Sequence, residues 1–311
     1  MPSQHALSAK LYSLRKKSML ADPQLSREDR AWFLSCSQFN AGSWLHAIPS
    51  IRRFKCGSAE FKTMLQIRLG LYVAHTEHIT ECKCGAKADT SFRNARHWMT
   101  WCPKGHRILL HNRTRNVIAA MYKALGVAAE TEVKGLYLQL TSYGAHRPAD
   151  VLVPGSSTED GVAWALDVAY TDPTCATAIQ HNSDKRPLSS AKARHTAKMA
   201  THRKALDAAG AAGLPFNKKP LVFETTGAMG NEAQQWWTAV LKMEQAQRVP
   251  GDPTSRRDLG LEHTFSANGF ATYWLQSISL SYARSQAESI MVWVGRNAPM
   301  SNASDTDTAL H

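Results

Sequence analysis

The chain has 311 residues, 43% hydrophobic and 20% charged, with a formal net charge of +12. That apolar share predicts a packed globular chain and argues against a disordered one. No run of about eighteen apolar residues is present to form a membrane span, and the opening MPSQHALSAKLYSLRKK lacks an apolar signal core, so an intracellular chain is expected. The positive balance points to a polyanion, nucleic acid first, because neutralising phosphates releases condensed counterions.

The first third reads as helices and loops. Asp22-Pro23 breaks the chain, and Ser26 opens a helix as its N-cap. Positions 59–71 carry an apolar stripe of Phe61, Met64, Leu65 and Ile67, as one face of a helix requires. Positions 75–107 are polar, rich in Cys and His and without periodicity, as in a loop held by something other than a core. Helical spacing returns over 112–125 and closes at Gly126. Two apolar strands, 151–153 and 162–170, flank the Pro154-Gly155 turn pair as a hairpin. An alanine-rich basic helix over 189–210, a third strand over 220–224 and a helix over 231–249 follow. A polar linker at 250–257 precedes a last helix at about 266–294, and the Ser-, Asp- and Thr-rich tail 297–311 is expected to be disordered.

The six cysteines, at 36, 56, 82, 84, 102 and 175, are too uneven for a disulfide framework. Cys82, Cys84, His97 and Cys102 instead supply thiolate and imidazole, the ligands a closed structural zinc site prefers. The alternative is three ordinary buried cysteines beside a surface histidine. His75, His78 and His106 are substitute ligands. Arg93, Arg96, Lys104 and Arg107 surround this module, and Trp98 and Trp101 lie inside it. Arginine to phosphate and base on aromatic is one use of such a set; cover for a metal site is the plainer one.

Two aspartates stand in apolar runs, Asp150 at the start of one strand and Asp167 in the middle of the next. A carboxylate there needs a cation, a buried arginine or a helix N-terminus. Counted back from the turn, the two fall about equally far from it, so an antiparallel hairpin makes them neighbours. Magnesium suits such a pair, since it takes few protein carboxylates and completes its shell with water and phosphate. Glu224 ends the third strand in the same way. The helix over 189–210 offers Lys192, Lys198 and Lys204 as the accompanying amine, with Lys198 placed first and Lys204 second.

The order Cys82-x-Cys84, His97-x4-Cys102, His111-Asn112, Arg147-Pro-Ala-Asp150 and Asp167 resembles the restriction-like endonuclease region of non-long-terminal-repeat retrotransposons. The segments GSWLHAIPS, FKTMLQIRLGL, WALDVAYTDP and PLVFETTGAMGNEA are similar to that region too. The resemblance covers roughly 32–293. It implies an α/β fold, the small mixed sheet of a PD-(D/E)XK nuclease flanked by helices, with an N-terminal helical region and a CCHC zinc knuckle. The corresponding units are 1–75, 76–111, 112–249, 250–296 and 297–311. It implies a DNA endonuclease, nicking through water activated by magnesium, with Asp150 and Asp167 as metal ligands and catalytic residues beside Lys198 and Glu224. Cys82, Cys84, His97 and Cys102 would hold structural zinc. Arg93, Arg96, Arg107, Arg113, Arg115 and Arg147 would contact nucleic acid. The implied partners are DNA, the element's RNA and a reverse transcriptase, in the nucleus. A zinc-containing nucleic-acid-binding module whose acidic site no longer cuts is the second expectation.

Overall fold

The computed structural model describes residues 4–73, 79–82, 84–87, 96–102, 107–133, 149–213, 216–247 and 264–297. The linker at 250–257 and the tail from 298 onward lie outside them. Four strands make one mixed sheet: β1 (Glu130–Val133), β2 (Ala149–Val153), β3 (Ala163–Thr171) and β4 (Phe216–Glu224), in the spatial order β1-β2-β3-β4. β1 to β2 and β2 to β3 run antiparallel, and β3 to β4 runs parallel. The fold is therefore α/β, a small mixed sheet flanked by helices.

The 154–162 connection closes the expected β2–β3 hairpin. Gly155 sits so close to Gly161 that an added Cβ would stand 2.3 Å from the Gly161 carbonyl oxygen, so only glycine fits that crossing. A parallel partner cannot be reached by a tight turn. The chain instead crosses from β3 to β4 through two helices, α5 (Ala176–Gln180) and α6 (Ser189–Ala211), and α6 packs against both strands.

Strand alternation sorts the two faces. Val151, Val153, Trp164, Leu166, Val168, Leu221 and Phe223 belong to the main core. Helices α4 (Arg107–Ala124), α7 (Asn231–Ala246) and α8 (Phe270–Asn297) contribute to it, α7 through Ala233, Trp236, Trp237, Val240 and Met243 at helical spacing. Trp236 Nε1 donates to Tyr122 Oη at 2.8 Å, giving the buried indole N–H a partner on α4. The other face is smaller and holds Ala169, Val222, Leu188 and Ala191 under α6. β3 is thus buried on both sides, which explains its nearly unbroken apolar run.

The N-terminal region supplies α1 (Gln4–Leu20), α2 (Arg27–Cys36) and α3 (Ser58–Arg68). Ser26 caps α2 as expected, its Oγ accepting the Asp29 N–H at 3.0 Å. Gly126, with φ +66°, follows α4 in the left-handed region where glycine costs least. The strand expected at 220–224 starts four residues earlier, at Phe216, and this extension carries two lysines into the sheet.

Candidate functional site

The β2–β3 register pairs Val151 with Leu166, Leu152 with Ala165 and Val153 with Trp164. One further step along the same register sets Asp150 opposite Asp167. Directly opposed residues of an antiparallel pair share a face, with Cβ atoms about 4.5–5.5 Å apart. Asp150 Oδ2 accepts the Val168 N–H at 2.7 Å, which fixes its carboxylate beside the Asp167 backbone. His111 Nε2, on the first turns of α4, lies 3.0 Å from the same oxygen. That hydrogen bond raises the His111 pKa above its usual value, against the opposing effect of burial.

Asp167 meets two ammonium groups. Lys198 Nζ, on α6, donates to Oδ1 at 2.8 Å and to Oδ2 at 3.1 Å. Lys218 Nζ, on β4, donates to Oδ2 at 2.9 Å. The Lys218 side chain is 0% exposed, against 24% for Lys198. Burial pushes the Asp167 carboxyl up, but the charges of Lys218 and Lys198 prevail and hold it below the usual carboxylate value. Burial pulls the Lys218 ammonium below its usual value despite Asp167, with Asp150 among the charges that resist the fall. Two carboxylates, two lysines and a histidine therefore meet where the start of β2 lies against the middle of β3 and β4. Asp150, His111 and Lys198 reach solvent while Asp167 and Lys218 form the buried floor.

Glu224 occupies a different place. It pairs with Thr171 on β3, whereas Asp167 pairs with Pro220. Four residues of strand separate the positions by about 13 Å, beyond hydrogen-bond reach. Glu224 is 1% exposed, takes the Ser190 hydroxyl on Oε1, and is pushed up in pKa chiefly by burial. It anchors the start of α6 and does not join Asp167.

Lys218 lies ahead of the strand expected at 220–224 and is not among the residues the sequence singles out. Had the strand been started at Phe216, its period of two would have put Lys218 on the face that Pro220 shares with Asp167. His111 was noticed only as part of a motif.

The second cluster is built by two tight turns. The Cys82 N–H donates to the Ala86 carbonyl at 2.8 Å around Gly85, whose φ of +88° lets the chain double back. A π-helical turn, His97–Trp101, ends with the Cys102 N–H donating to the His97 carbonyl at 2.9 Å, five residues back, so that two more side chains converge. Cys82 Sγ lies 3.7 Å from Cys102 Sγ, and Cys84 Sγ 3.4 Å from His97 Nε2. All four donor atoms fall within 4.8 Å of one another, close enough to hold one metal ion. The Ala86 backbone N–H, the largest influence, lowers the Cys84 thiol pKa and so favours thiolate. The cluster also has a core. Trp98, Met99, Cys82 and Cys102 are buried with Trp32 of α2, Ile67 of α3 and Ile290 of α8. Trp98 thus serves as cover for the donor set.

The basic residues expected to meet nucleic acid are dispersed. Arg96 is buried and donates to Thr174 Oγ1. Arg113 pairs with Glu288 of α8, and Arg115 with Glu132 of β1. Arg107 begins α4. Arg93 and Arg147 lie outside the described residues, as do Lys104 and the substitute ligands His75, His78 and His106. Among the described residues no helix is long and apolar enough to cross a membrane.

No protein-family model matches the chain, and no curated protein matches it.

Proposed function

We propose that the chain is a metal-dependent DNA endonuclease of retroelement origin, built on a PD-(D/E)XK core and nicking a phosphodiester by activated water. The observation that carries this reading is the facing pair Asp150 and Asp167, with Lys198 on Asp167 at 2.8 Å, at a partly solvent-reaching position where β2 begins. Its donor set fits a hard cation. The bonds described on Asp150 fall on Oδ2, which leaves Oδ1 free among the described residues. Asp167 is now compensated by lysine, one of which stands at a solvent-reaching position. Magnesium bound there would supply charge against the phosphate and polarise a water.

The residues then divide the work. Asp150 and Asp167 hold the ion. His111 and the Val168 N–H keep the Asp150 carboxylate aimed. Lys198, on its long stem, turns its ammonium to the scissile phosphate and the attacking water. Lys218 stays on the floor and keeps Asp167 ionised at neutral pH. The Cys82, Cys84, His97 and Cys102 set holds zinc in a structural role. Donor atoms on a tetrahedron of zinc–sulfur and zinc–nitrogen radii stand roughly 3.5–3.8 Å apart, and the contacts of 3.7 and 3.4 Å are near that range. The net charge of +12 supports a nucleic-acid substrate, DNA in this reading; element RNA and a reverse transcriptase, in a nuclear setting, are the further partners that the resemblance implies.

One observation favours the second reading, a zinc-containing nucleic-acid-binding module that no longer cuts. Both Asp167 oxygens are occupied by lysine, so the site is already neutral without an ion. Incubation with supercoiled plasmid and Mg²⁺ separates the two. The endonuclease reading requires open-circular product from the wild type and none from Asp167→Ala. Tight DNA binding with intact plasmid would leave the binding module standing alone.

A further inference from the structure

We infer that the groove between α4 and α8 is a binding site for a phosphate-bearing ligand of about mononucleotide size. The groove encloses about 450 Å³, within the usual range of small-ligand sites. One wall is the α4 stripe that includes Arg113 and Asn116, the other the α8 stripe of Ser277, Ser281, Arg284 and Glu288. Arg53, on the 3₁₀ turn Arg52–Phe54, closes one end.

The charge of the lining selects an anion. Three guanidiniums meet two carboxylates, Glu288 within the lining and Glu60 beside it, which leaves one positive charge over. Arg113 is paired with Glu288, and Arg284 with Glu60 at 2.9 Å. Among the described residues no carboxylate pairs with Arg53. Its guanidinium lies 5.2 Å from the Trp274 ring centroid and 5.8 Å from that of Tyr273, so it is held in place by stacking. Its Nη1 and the Ser277 hydroxyl are buried and without a hydrogen-bond partner among the described residues. Buried donors of this kind are normally satisfied, and phosphate is the anion whose geometry suits clustered guanidiniums. Val117 and Ala120 add an apolar strip for a sugar or base.

This site is separate from the acidic one. Arg113 is two residues from His111, which touches Asp150, and at about 100° per residue the two stand on different sides of α4. Binding here does not depend on the nuclease reading.

The test is calorimetric titration of the full chain, without divalent metal, with thymidine 5′-monophosphate, inorganic phosphate and a thymidine pentanucleotide. At least one should bind. Ser281→Glu, which sets a third carboxylate among the arginines, should weaken it at least tenfold, while Gln245→Glu, the same added charge at an exposed position on α7 away from the groove, stays within about twofold. Asn116→Glu, at an exposed position, gives the same loss should Ser281→Glu fail to fold. A nucleotide that outbinds inorganic phosphate supports the inference, and a pentanucleotide tighter still identifies a chain phosphodiester; inorganic phosphate binding as tightly as the nucleotide overturns it. Binding of none of the three, or binding that neither Ser281→Glu nor Asn116→Glu weakens, overturns it too. Plasmid nicking, scored separately with Mg²⁺, has no bearing on either outcome.

Discussion

Asp167 has two amines where one would neutralise it, and the buried one explains how a carboxylate survives inside β3. Stripping a buried charge of its sole partner costs about 3–5 kcal/mol. Lys198 would still compensate Asp167 in Lys218→Met, and the new methyl-thioether fits a fully buried stem. The expected loss is therefore smaller, about 1–3 kcal/mol in urea unfolding. The pH dependence carries the same signature. Asp167 is held below its ordinary value, so its contribution to stability is present above the unfolded carboxylate pKa, about 3.9, and fades as pH falls through the lower folded value. In Lys218→Met the folded value rises toward the ordinary one, and the acid-unfolding midpoint should move to higher pH. An unchanged midpoint would show that Lys198 alone sets the ionisation of Asp167.

At the scale of elements, the hairpin was legible because Pro154-Gly155 marks its turn and the flanking runs are apolar. Counting from that turn was enough to predict that Asp150 and Asp167 would be neighbours. The start of β4 was not legible, since Asn217, Lys218 and Lys219 look polar unless a buried acid is known to be waiting. Glu224 was misread for the opposite reason: an acid ending an apolar strand signals a buried partner but not which one, and the partner is Ser190. β1, three polar residues and Val133, is too short and too polar to show a strand pattern. The cysteine and histidine spacing did foretell a donor cluster, but not that Trp98 and Met99 would join it to Trp32 and Ile67. That shared core predicts more than local loss on metal removal. Treatment with a strong chelator should release about one equivalent of zinc and lower the melting temperature of the whole transition. Less than about half an equivalent, in protein purified without chelator, would contradict the zinc assignment.

For the molecule as a whole, the net charge of +12 favours association with a polyanion. Yet Arg113 and Arg115 on α4 are tied to glutamates, so the net charge alone does not mark the DNA path. If phosphate contacts drive binding, log affinity should fall linearly with log salt, at about 0.9 per duplex phosphate contacted. A slope of at least about 3 between 50 and 200 mM salt, measured by fluorescence anisotropy, is expected. A slope near zero would remove nucleic acid as the partner.

The proposed nuclease reading requires the carboxylates at 150 and 167 to share one hard cation. Diffraction from crystals soaked in Mn²⁺, with anomalous scattering collected, tests it without any assay of activity. A shared cation gives a single anomalous peak about 2.1–2.3 Å from one oxygen of each aspartate, with the Lys198 ammonium moved off Asp167. A map with no peak there, and Lys198 and Lys218 both still bonded to Asp167, would contradict it.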